Sequence, residues 1–121
     1  MAKSEPTWLK TPEEQDYPAA LSYLSIVYPT TKARQLVNQL KAAAVVEFKA
    51  KDIFRASKLS LLGISNSHVA KDQAKVKKGE ALSPLLLVRG LNGKVIIADG
   101  YHRLCAVYTF NEDATIPCKI V

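Results

Sequence analysis

KVIIADGYHRLCAVY, residues 94–108, decides how the chain is read. Val95 to Ala98 is an apolar run of strand character, and Leu104, Val107 and Tyr108 then recur at helical spacing until about Asn111. Between the two, Asp99, Gly100, Tyr101, His102 and Arg103 crowd a carboxylate, a glycine, a phenol, an imidazole and a guanidinium into a strand-to-helix corner. The first amides of a helix lack internal partners and sit at the positive end of its dipole, so such a corner attracts an anion, phosphate above all. Gly100 lets the backbone approach, the amides of Tyr101 to Arg103 hold phosphate oxygens, and His102 and Arg103 add charge. A guanidinium can grip two oxygens at once. Asp99 has three readings: a helix cap, a ligand of a Mg²⁺ ion that accompanies phosphate, or a base. The competing explanation is an ordinary Asp-Gly turn with Arg103 paired to a surface carboxylate and His102 in solvent.

Working outward, Pro84 opens a strand over Leu85 to Arg89, and Leu91-Asn92-Gly93-Lys94 predicts a hairpin with a type I′ turn. Thr115 to Val121 reads as a last strand. Upstream, a helix from His68 to Lys78, capped by Ser65 or Ser67, ends at Gly79. Lys71, Lys75 and Lys78 share one side of it. That row suits nucleic-acid phosphates with steep salt dependence, or is simply a solvated face. Val45 to Phe48 looks like a strand, and Lys49 to Leu62 looks irregular. Further back, Thr11-Pro12-Glu13-Glu14 has the form of a capping box, with Asp16-Tyr17-Pro18 restarting or kinking the helix. Tyr17, Leu21, Leu24 and Tyr28 continue it to Pro29. Thr30 or Thr31 caps a second helix with the stripe Ala33, Leu36, Val37, Leu40 and Ala44. This order predicts an α+β, or mixed α/β, fold: a small mixed sheet packed with helices.

The 121 residues are the length of one domain, and 48% hydrophobic with 23% charged side chains is ordinary for a globular chain that can bury a core. No apolar run is long enough to cross a bilayer. The N-terminus has no signal-peptide character, and Cys105 and Cys118 have no metal-binding spacing, so a reduced, cytoplasmic protein is expected. The net charge of +6 is uneven. Residues 1–30 hold two lysines against four carboxylates, whereas residues 31–121 hold 15 basic against seven acidic side chains. A basic body of this kind favours polyanions.

Read together, Lys77-Lys78-Gly79-Glu80, Ser83-Pro84-Leu85-Leu86-Leu87-Val88 and Ile97-Ala98-Asp99-Gly100-Tyr101-His102-Arg103 resemble the ParB/sulfiredoxin superfamily over residues 45–121. The resemblance implies a ParB-like domain at 45–121, with residues 1–44 as a helical extension packed on it. It also implies a nucleotide such as ATP or CTP, or another phosphorylated ligand, with its phosphates at Gly100 to Arg103. Arg55 and Lys58 lie in the segment that approaches phosphates in that family, and Arg89 is expected to face the same cleft. Tyr101 stands where sulfiredoxins carry their cysteine, so sulfiredoxin activity is not expected. A complete partition clamp, with its downstream DNA reader, does not fit within these residues either. An enzyme of this kind would perform phosphoryl transfer or phosphodiester hydrolysis, as a kinase or nuclease-like domain does, with Glu80 and Asp99 as candidate catalytic carboxylates. The alternative is a non-catalytic DNA-binding or regulatory module using helix 68–78. Residues 1–44 remain open as lid, dimer arm or partner surface, and a homodimer is among the arrangements admitted.

Overall fold

The computed structural model describes residues 5–60, 66–90 and 92–121. Among them the chain forms five helices and two small sheets, a mixed α+β arrangement. The order is β1 (Thr7–Trp8), α1 (Asp16–Val27), α2 (Thr30–Ala42), β2 (Val46–Lys49), α3 (Ala50–Ser57) and α4 (Ser67–Lys78). It continues with β3 (Ala81–Leu82), β4 (Leu85–Arg89), β5 (Val95–Asp99), α5 (Tyr101–Phe110) and β6 (Thr115–Ile120).

The main sheet has the strand order β2-β6-β4-β5. β6, last in sequence, lies inside it, antiparallel to β2 and parallel to β4. β4 runs antiparallel to β5, with a register shift between Leu86 and Leu87. The short β1 and β3 pair in parallel beside this sheet.

β4 explains the layering. Its first four residues are all buried, and alternation along a strand sends them to opposite faces. Leu85 and Leu87 join Ile97, Leu104, Val107, Ile116 and Cys118 in one core, closed by Ala50 and Ile53 of α3 and Val76 of α4. Leu86 and Val88 join Ala98 in a second core with Tyr17, Ala20 and Leu24 of α1 and the α2 stripe Ala33, Leu36, Val37 and Leu40. Helices therefore cover both faces. Residues 16–42 form one of these layers.

Several local expectations are corrected. The Thr11 capping box does not start a helix. α1 begins at Asp16, whose carboxylate accepts the Glu13 amide at 3.0 Å. Pro18 thereby falls in the first turn, where a missing N–H costs nothing; a helix begun at Pro12 would have held it in the interior. Pro29, not Thr30 or Thr31, precedes α2, and its carbonyl accepts the Ala33 amide. Ala44 lies past that helix and is exposed. The segment read as irregular contains α3, in which Ala50, Ile53 and Ser57 are buried at helical spacing. Only two of those three are apolar, which hid the pattern. Asn66 caps α4, accepting the amides of His68 and Val69, whereas Ser65 lies outside the described residues. Lys58 is the one non-glycine with positive φ among the described residues, so Asn92 does not take the conformation a type I′ turn requires. Among the described residues of the turn, Gly93 is the one with positive φ, at 73°. No helix among the described residues is long and apolar enough to cross a membrane.

Two-faced burial of β4 has a direct test. Leu86→Ala and Leu87→Ala should each lower unfolding free energy by about 2–5 kcal/mol in denaturant titration, although they are neighbours with opposite directions. In a sheet covered on one face, one of the two would be nearly silent.

Candidate functional site: a polar cleft between two helix N-termini

β5 ends at Asp99, and Gly100 turns the chain into α5 with φ 108°, a left-handed angle that suits glycine. The corner also rests on the sheet. A Cβ at position 100 would stand 2.7 Å from Leu85 Cγ and 2.9 Å from Arg103 Nη2. A side chain is thus excluded by both conformation and space.

α4 lies against α5 through the buried, mostly small residues Val69, Cys105 and Ala106, which allow the two helices a close approach. Their N-terminal turns come together as a result. The rings of His68 and His102, the chain's two histidines, have centroids 4.8 Å apart. Tyr101 stands beside them, 5.7 Å from the His102 ring, and its hydroxyl donates to the Ser60 carbonyl. Burial raises the pKa of that phenol, which keeps it a donor.

The hollow between these turns has a volume of about 210 Å³. His68, Lys71, Asp72 and Lys75 line it from α4, and Asp99, Gly100, Tyr101, His102 and Arg103 line it from the corner. The corner motif and two lysines of the row Lys71, Lys75 and Lys78, separate in sequence, therefore share one cleft. Neither spacing nor composition signals Asp72 or the meeting of the two histidines. Both depend on helix packing.

Other candidates lie elsewhere. Arg89 pairs with Val95 at the far end of the hairpin from the Leu86–Asp99 pair, and it borders an apolar groove instead. The Arg55 side chain is 82% exposed and lies 3.8 Å from Asp52 on its own helix. Lys78 and Glu80 sit at and beyond the C-terminal end of α4, exposed and outside the cleft lining. Lys58 ends α3 in a left-handed conformation.

Asp99 is not the helix cap, since the N-cap is Gly100. Its carboxylate instead accepts Arg103 Nη2 at 3.0 Å, with both side chains 17% exposed. The same Nη2 lies 3.4 Å from the Pro84 carbonyl. The guanidinium is thus turned partly into the protein, and its charge is largely balanced by Asp99. Its buried Nε has no partner among the described residues, so the protein's own groups do not satisfy it fully. Burial raises the pKa of Asp99; Arg103 opposes this, and the neighbouring Asp16 carboxylate adds to it. A protein-held Mg²⁺ fits this donor set poorly. The Asp99 oxygen is occupied by a cation, and the described residues contain no group of three His, Cys, Asp or Glu side chains suited to a metal.

The raised folded-state pKa of Asp99 means its ionised form costs stability. That cost is absent below the ordinary carboxylate range and grows as pH rises through the raised value. Asp16→Asn removes the neighbouring negative charge while keeping an acceptor for the Glu13 amide. It should lower the pH at which Asp99 ionises, read by carbon-13 NMR titration of its carboxyl. Gly100→Ala should destabilise by about 1–3 kcal/mol at any pH, read from denaturant unfolding.

Comparison of the chain with known protein families, with curated proteins and with solved structures gives no match, so the reading of this cleft rests on its own geometry.

Proposed function

We propose that this protein binds a phosphorylated ligand, such as a nucleotide, through its phosphate groups in the cleft between the first turns of α4 and α5. One observation carries the reading: Lys71, Lys75, His68 and His102 converge with the glycine-led N-terminus of α5 on a single polar hollow. Arg103 contributes less than its sequence position suggested, because Asp99 already holds its Nη2. The mobile charge facing a ligand belongs to the two lysines, supported by the helix dipole. A volume of about 210 Å³ is below the usual range for a whole small-molecule site, so it suits one or two phosphates with the rest of the ligand outside. Any Mg²⁺ would arrive on the phosphates and not on a protein ligand set.

The resemblance to the ParB/sulfiredoxin superfamily points the same way, with a hairpin feeding a glycine corner and a helix. Turnover, if it accompanies binding, belongs to phosphoryl transfer or hydrolysis at the held phosphate. Asp99 is then the carboxylate that lines the cleft, with its Oδ2 already held by Arg103. Glu80 stands outside the cleft lining and takes no part.

A second reading is favoured by exposure: Lys71 and Lys78 are open to solvent on α4, a row that DNA phosphates could follow without entering the cleft.

Calorimetric titration with pyrophosphate, ATP and CTP, each with and without Mg²⁺, tests both. All three ligands should bind within about tenfold of one another, and Lys71→Ala or Lys75→Ala should weaken each about tenfold. Lys78→Ala should leave these affinities unchanged. Silence towards all three ligands, with duplex binding that Lys78→Ala weakens and salt steeply suppresses, would replace the first reading by the second.

A further inference from the structure

The edge strand β2 has features that neither the cleft nor the sequence motifs use. It pairs with β6 on one side and has no strand on the other among the described residues. All four of its residues are exposed, including the apolar Val46 and Phe48, at 39% and 37%.

The ladder fixes which backbone groups face outward. The Ala50 amide donates to the Ala114 carbonyl, so this pair is a hydrogen-bonded one. Stepping by two along the register, Phe48 with Ile116 and Val46 with Cys118 are hydrogen-bonded pairs as well. Glu47 then faces Pro117 in a pair that needs no donor from β6, which is where a proline is tolerated. The N–H and C=O groups of Glu47 and Lys49 consequently point away from the sheet. Such an open row is a template for another strand.

We infer that β2 pairs with β2 of a second copy of this chain, antiparallel about a two-fold axis through Phe48, joining the two four-stranded sheets. The outward groups allow hydrogen-bonded pairs only between residues 47 and 49, so the candidate registers are few. Centring on residue 47 would set Glu47 against Glu47, and centring on 49 would set Lys49 against Lys49. Centring on Phe48 sets each Glu47 against the partner's Lys49, twice, on one face of the joined sheet. On the other face the two Phe48 rings meet in the closer, non-hydrogen-bonded pairing. The strand is thus self-complementary in charge in the one register that its hydrogen-bonding phase and its aromatic side chain both favour. This interface lies outside residues 1–44, where the sequence had left room for a dimer arm, and does not depend on the cleft.

Sedimentation velocity across a concentration series tests it, with circular dichroism confirming that each variant is folded. The wild-type chain should show a monomer–dimer equilibrium. Glu47→Lys alone and Lys49→Glu alone each bring like charges opposite one another twice, and should raise the dimer dissociation constant about tenfold or more. The double exchange Glu47→Lys with Lys49→Glu should restore it, as should mixing the two single variants. A wild-type chain that stays monomeric at all concentrations overturns the inference. So does a dimer indifferent to the single reversals, or one that the double exchange fails to recover.

Discussion

Burial of β4 on both faces is the constraint from which the rest of the molecule follows. Leu85 and Leu87 commit one side of the sheet to α3, α4 and α5, and Leu86 and Val88 commit the other to α1 and α2. The same strand supports the functional corner, because Leu85 Cγ fills the space where a side chain at position 100 would go. Core and cleft are therefore not independent. Gly100 can be positioned only as well as Leu85 is packed.

The charges within this frame are more balanced than the net charge suggests. Arg103 is held by Asp99, Lys51 by Asp113 at 2.6 Å, and Lys119 is buried with its ammonium donating to the Lys41 carbonyl in the last turn of α2. A cation there complements the negative end of the helix dipole and ties α2 to β6. α4 carries four lysines, Lys71, Lys75, Lys77 and Lys78, none of them in an ion pair among the described residues. Lys71 and Lys75 line the cleft with Asp72 beside them, while Asp99 is taken up by Arg103, so the capacity to attract an anion rests mainly on that helix. The corner motif supplies backbone donors and shape, and the neighbouring helix supplies the charge.

Legibility in the sequence followed the range of the interactions. The α2 stripe, the β4–β5 hairpin, α5 and the end of α4 at Gly79 were readable, because each is set by spacing or by a single residue's backbone preference. α3 was not, since Ser57 completes its buried face and a serine does not register as apolar. The start of α1 is hidden because the capping-box pattern around Pro12 competes with the need to keep Pro18 in a first turn. Nearness of Arg89 to the hairpin in sequence does not bring it to the cleft, because an antiparallel pair puts its two ends a full strand length apart.

The corner is written locally in the chain: an apolar strand, a glycine free to take a positive φ, and a helix whose first amides have no internal partners. The sequence also determines the two periodicities that build the layers, since both are local consequences of side-chain spacing. Tertiary structure decided the rest. The approach of α4 to α5 through Val69, Cys105 and Ala106 brought His68 to His102 and the lysines to the corner. Those outcomes depend on which surfaces meet, and contacts between residues distant in the chain leave no period to read.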